Sequence, residues 1–119
     1  MLTAQAQGHF LFIMIYSILI DQRFAVENEL KIVQAATLAA CMTLPMRTNT
    51  ISIDGNVWYE YSEKQMIDDF PLLYTNAKSI YRNLRFLIDG GFIATCSFER
   101  TKYMRFTPKC KTWNSSEED

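Results

Sequence analysis

The sequence predicts an α+β domain, mainly helical, that closes on a short β-hairpin and carries an apolar arm ahead of its helices. Three observations predict it. Ser62 followed three residues later by Gln65 is a helix-start pattern, and Phe70-Pro71 is a stop. A second helical period begins near residue 76 and halts at Gly90-Gly91. From Phe92 the pattern becomes that of strands, interrupted by the polar stretch Glu99-Arg100-Thr101-Lys102.

A length of 119 residues fits one domain. Residues 1–61 are read as arm, scaffold helix and strand, 62–109 as the helix pair and hairpin, and 110–119 as a tail. Apolar residues make up 49%, sufficient for one modest core and too many for a disordered chain.

The most apolar run begins at Phe10 and ends at Ile20. It is about half of the ~20 residues a membrane span needs, and MLTAQAQGH before it lacks the Lys/Arg start of a signal peptide. It is therefore read as buried structure, as a core strand, a short helix or one passing into the other. The sharper alternative is a self-association surface through which a homodimer forms.

Asp21-Gln22-Arg23 breaks that run, and a helix is expected from Glu27 to about Met42, with Leu30, Val33, Thr37, Leu38 and Cys41 at three- and four-residue steps. Its alanine pairs, Ala35-Ala36 and Ala39-Ala40, leave room for close approach by another element. A connection containing Pro45 follows. Asp54-Gly55-Asn56 is a turn signal, and Trp58-Tyr59-Glu60-Tyr61 a strand leading into Ser62. The next helix starts at Glu63 and uses Met66 and Ile67 as apolar contacts. Leu72-Leu73-Tyr74 is the turn, apolar enough to pack between the two helices.

Thr75 or Asn76 caps the second helix, which runs to about Asp89. With about 100° per residue and Leu84 at the core centre, Ala77, Ile80, Tyr81, Leu87 and Ile88 fall on the buried side. Lys78, Ser79, Arg82, Phe86 and Asp89 fall on the opposite side, with Arg85 on its flank. In the hairpin, Met104 and Phe106 alternate with Tyr103 and Arg105, and Pro108 ends the strand.

Charge is unevenly placed. The formal net charge is −1, yet residues 1–77 hold four Lys/Arg against eight acids, and residues 78–111 hold eight against two. A localised basic face on a nearly neutral chain suits a phosphate backbone; the plainer reading is a solvated surface. Cys41, Cys96 and Cys110 form no metal spacing and no disulfide framework, which implies reduced thiols and a cytoplasmic protein. No cofactor or metal is expected. No nucleophile, base and oxyanion donor assemble, His9 has no visible partner, and Asp68-Asp69 reads as solvated, so an enzyme is not expected.

Residues 62–70, 76–87, Gly91-Phe92-Ile93 and Arg105-Phe106-Thr107-Pro108-Lys109 resemble the winged helix-turn-helix superfamily. Asn76, Ser79, Ile80, Arg82, Leu84, Leu87, Gly91, Phe92 and Ile93 match its second-helix pattern, and the last segment is similar to its wing strand. More loosely, the apolar lead-in, Ile18-Leu-Ile-Asp21, and Val57-Trp-Tyr-Glu-Tyr61 are similar to winged-helix domains of phage and plasmid replication proteins. The likeness covers about residues 10–109. Ala77 and Phe86 stand where the family often has polar or charged residues, and the hairpin is short.

The resemblance implies double-stranded DNA as the partner and a mobile-element protein acting in replication initiation or transcriptional regulation. The second helix would enter the major groove by its N-terminal half, with Lys78, Ser79 and Arg82 toward the bases. Asn76 and the helix start would hold a phosphate, Arg85 the backbone, and Arg100 and Lys102 a neighbouring phosphate row or the minor groove. Against this, Arg82 can pair with Asp89 or Glu99, Ser79 can be a neutral surface residue, and Tyr81 is expected at the core edge. The rival function is a protein-interaction module docking a replication, transcription or host-defence partner through Phe86 and Asp89. A weaker one is RNA binding, with Tyr103 or Phe86 stacking on bases.

Overall fold

A computed structural model describes residues 16–74 and 77–115. The elements, in order, are α1 (Gln22–Glu27), α2 (Ile32–Cys41), a 3₁₀ turn (Leu44–Met46), β1 (Thr50–Ile53), β2 (Asn56–Tyr61), α3 (Glu63–Asp69), α4 (Ala77–Asp89), β3 (Ile93–Phe98), β4 (Thr101–Phe106) and a second 3₁₀ turn (Pro108–Cys110). The strands form one antiparallel sheet in the order β1-β2-β4-β3. The fold is thus α+β with a four-stranded sheet where a mainly helical domain with one hairpin was expected. The additional hairpin is β1–β2, which pairs Ile51 with Trp58 and continues the sheet through Tyr59 opposite Met104.

The helix expected from Glu27 to about Met42 begins only at Ile32, and a separate helix, α1, precedes it over the stretch that was expected only to break the apolar run. Asp21, where the apolar run breaks, caps α1: its carboxylate accepts the Phe24 N–H at 2.9 Å. That bond is the main cause holding the Asp21 carboxyl below its usual range. The helix stops because Glu29 takes a left-handed φ of 56°. The Leu30 N–H then reaches back to the Ala25 carbonyl at 2.8 Å and the Glu29 N–H to Val26 at 3.2 Å. Such a stop normally carries glycine, so nothing in the local sequence announces it.

The core lies between the helices and one face of the sheet. Phe24, Leu38, Cys41, Leu44, Met66, Phe70, Tyr74, Ile80, Leu84, Leu87, Phe92, Ile93 and Met104 are buried together. Ala35, Ala36, Ala39 and Ala40 are all buried, as expected for a helix approached closely. Trp113 packs edge-on against Phe24, ring centroids 5.2 Å apart. Among the described residues of the apolar run, Ile18 and Ile20 are half-buried while Tyr16 and Leu19 are exposed. Phe10 to Ile15 lie outside the described residues.

The helix pair forms nearly as expected. Ser62 accepts the Gln65 N–H at 3.0 Å, and Phe70-Pro71 ends α3. The Gln65 side chain does not return to complete a capping box; its amide donates to Asp69 at 2.9 Å. Asp69 is 7% exposed and ion-paired with Arg47, whose Nε also donates to Thr43 at 3.0 Å. The reading of Asp69 as solvated is therefore corrected: it joins α3 to the segment before β1. In the turn, Tyr74 is buried and donates to Thr37 at 2.8 Å. Leu72, expected to pack between the helices, is 100% exposed.

α4 ends where glycine allows it. Gly91 has φ of 80°, which lets the Phe92 N–H bond the Leu87 carbonyl at 2.9 Å and the Gly91 N–H bond Ile88 at 3.0 Å. Among the described residues no helix is long and apolar enough to cross a membrane.

Candidate nucleic-acid interface

The candidate surface is built on α4, whose core side is set by Ile80, Leu84 and Leu87. Their three- and four-residue spacing fixes the rotation of the helix about its axis. Lys78, Arg82 and Arg85 are consequently exposed. With Leu84 facing the core, Tyr81, Arg85, Lys78 and Arg82 lie at about 60°, 100°, 120° and 160° on one side. Ser79, Asn83 and Phe86 lie on the other side, and the Asn83 amide donates to the Ser79 carbonyl at 2.9 Å. Ser79 is half-buried. Asn76, the expected phosphate ligand, lies outside the described residues.

Two grooves flank the helix. One, of about 620 Å³, is lined by Lys78, Tyr81, Arg82, Arg85, Phe86 and Asp89 among others, with Gln34 at its α2 side. The other, of about 350 Å³, runs between α4 and the sheet and includes Tyr81, Arg85, Ser97 and Lys102. The structure therefore brings Lys78, Arg82 and Arg85 into one groove and Arg85 and Lys102 into the next. Arg100 lines neither; it stands exposed at the β3–β4 turn with φ of 69°.

The cations are not equally available. Arg85 pairs with Asp89 at 3.2 Å, one helical turn on. Lys102 pairs with Glu63 at 2.8 Å. Neither Lys78, Arg82 nor Arg100 takes part in an ion pair among the described residues. The expected rival pairing of Arg82 with Asp89 or Glu99 is thus not formed; Arg85 occupies Asp89. Lys102 was expected at the hairpin tip, but the tip is only Glu99-Arg100, and Lys102 lies within β4 opposite Tyr61 and Ser97. Register across three strands sets its place, and that is not a local property of the sequence.

Two other cations of the basic segment serve the fold. Lys109 donates to the Gly90 carbonyl at 2.8 Å, with its ammonium 4.2 Å from the centre of the Phe92 ring. It thereby places a positive charge at the negative end of α4. Arg105 lies over the Trp58 ring at 5.4 Å, on the sheet face away from the helices. Tyr103, weighed as a stacking residue, is on that same face and only 9% exposed.

Tyr81 lies farther out than the core edge expected for it. It falls at the edge of the expected core arc but is 60% exposed, beside the three cations of α4. Its signal was available: an aromatic at i+3 from Lys78 and i−4 from Arg85 belongs to their stripe. Phe86 is 41% exposed, as its position predicts.

The described residues contain no group of three or more potential metal-ligating side chains. All three cysteines are free. Burial pushes the Cys41 thiol up to about 12 and the Cys110 thiol to about 11, so both stay protonated and poorly nucleophilic near neutral pH. Comparison with family models, with curated proteins and with solved structures finds no match to this chain.

Proposed function

We propose that this is a sequence-specific DNA-binding protein of winged helix-turn-helix type, cytoplasmic and belonging to a mobile genetic element, acting in replication initiation or transcriptional regulation. The observation that carries the reading is the cationic side of α4: Lys78 and Arg82 are exposed, one helical turn apart and without an ion pair among the described residues. Unpaired guanidinium and ammonium groups on a helix suit guanine edges and phosphates in a major groove. The order of elements also supports it: two helices separated by residues 70–76, then a hairpin. In this reading α3 and α4 are the helix pair, β3–β4 is the wing, and Arg100 at its tip meets a neighbouring phosphate row. Arg85 and Lys102 exchange their carboxylate partners for phosphates on binding, which lowers their net contribution relative to Lys78 and Arg82. One such module buries little surface, so a homodimer, through the segment from Phe10 to Ile20, completes the site.

The test is binding to a random duplex pool across salt. With several phosphate contacts, affinity falls by orders of magnitude between about 50 and 200 mM salt. Absence of binding to any duplex at low salt would sink the proposal. The half-exposed Phe86, beside the Arg85–Asp89 pair, favours the second reading, a protein-docking module. Salt-insensitive capture of a protein partner, lost in Phe86→Ala, would select it.

A further inference from the structure

We infer that Tyr81 reads a thymine, so that the preferred duplex carries a thymine under this side chain; the inference rests on α4 being the groove-reading helix. Tyr81 presents a large ring to solvent from the same side of the helix as Lys78, Arg82 and Arg85. It lines both grooves that flank α4, so it stands on the ridge between them. Among the described residues the aromatic pairs are Phe24–Phe92, Phe24–Trp113 and Tyr59–Phe106, and the Tyr81 ring joins none of them. At 60% exposure, most of its surface stays open to a ligand.

A ring so placed meets whatever the cations bring in. Lys78 precedes it by three residues, Arg82 follows by one and Arg85 by four, so phosphates drawn to these groups bracket the ring. Between the phosphate rows of a major groove lie base edges, whose groups are mostly hydrogen-bonding. The apolar group that projects into the groove is the thymine C5 methyl, and it rewards an apolar edge. The phenol hydroxyl, at the far end of the ring, keeps its contact with water or with a phosphate oxygen.

The experiment is a site selection from a random duplex pool, followed by binding to the selected duplex with each thymine replaced in turn by uracil. That change removes only the methyl. The wild-type protein is expected to lose about fourfold in affinity at one or two positions, the equivalent of one buried methyl group. Tyr81→Phe keeps this loss, whereas Tyr81→Ala binds the thymine and uracil duplexes equally, with its salt slope unchanged. Tyr81 is exposed, so the variants are expected to melt as the wild type does. Discrimination that survives Tyr81→Ala, or a wild type indifferent to every thymine methyl, overturns the inference while DNA binding stands. Tighter binding to single strands than to duplex, lost in Tyr81→Ala, also overturns it in favour of stacking on an unpaired base. A wild type that selects no duplex sinks the parent reading first, so the two failures are distinguishable.

Discussion

The two hairpins of this protein make the same turn with different residues. The first, between β1 and β2, turns at Asp54 (φ 51°) and Gly55 (φ 81°). The second, between β3 and β4, turns at Glu99 (φ 50°) and Arg100 (φ 69°). Two successive left-handed residues match the twist of the strands they join, and Asp-Gly is a favoured pair for that geometry. Glu-Arg is not: a side chain with Cβ costs about 1 kcal/mol in the left-handed region relative to glycine. The first turn is therefore chosen for folding, while the second accepts strain and exposes a cation at its tip. Glu99 and Arg100 are both exposed there, and in the proposed reading Arg100 is the one that meets a phosphate.

The hairpins also differ in what holds them. β1–β2 follows a segment anchored by Arg47, which is paired with the buried Asp69. The second hairpin is anchored through Thr107, Lys109 and Cys110, all hydrogen-bonded to backbone groups at residues 90–92. The first belongs to the scaffold and the second is coupled to the end of α4.

The sharpest way to break this contrast is to remove the scaffold anchor. Asp69→Ala leaves Arg47 buried without its partner, at a cost of about 3–5 kcal/mol. Chemical denaturation measures it, and a loss under 1 kcal/mol would mean that the anchor is dispensable. Next, Lys78→Ala combined with Arg82→Ala is expected to weaken duplex binding by about thirtyfold or more, with a shallower salt slope and unchanged melting. Retention of wild-type affinity would remove α4 from the interface.

The turns themselves supply opposite single substitutions. Gly55→Ala puts Cβ where nothing lies within 4 Å, so its expected cost of about 1 kcal/mol is purely conformational. Arg100→Gly is expected to stabilise by up to about 1 kcal/mol and to weaken duplex binding severalfold. If it stabilised the protein and bound DNA as well as wild type, the strain would have no use in binding. An effect of similar size lies outside both hairpins. Asp21→Ala removes a helix cap, about 1 kcal/mol. The Asp21 carboxyl titrates lower in the folded chain than in the unfolded one. Its stabilisation is therefore present above the ordinary carboxylate range and lost as the pH falls through the folded value. The variant should lose stability less steeply in acid than the wild type does.

Much of the fold is legible because it is local. The Ser62 cap, the Pro71 stop, the Gly91 stop and the Asp54-Gly55 turn each rest on one or two residues whose backbone chemistry decides the outcome. The misreadings have an equally physical origin. Glu29 ends a helix in a conformation that its residue type does not favour, so the break between α1 and α2 has no local sign. Gln65 fits a capping pattern, yet it turns to Asp69, which is within reach only after α3 has formed. For the candidate site, the exposure of Lys78, Arg82, Arg85 and Phe86 follows from helical period alone. The partners that draw on Arg85 and Lys102 do not.

By itself the sequence determined where α3 starts, where α3 and α4 stop, where the basic charge lies, and which side of α4 faces the core, because these depend on period and on single-residue backbone preferences. Tertiary structure decided the rest. It placed Lys102 near the end of an inner strand of the four-stranded sheet beside Glu63, committed Lys109 to the end of α4, buried Asp69 against Arg47, and left Tyr81 largely in solvent. Each of these depends on which distant surface arrives opposite a side chain, and that is set by strand register and helix packing across the whole chain.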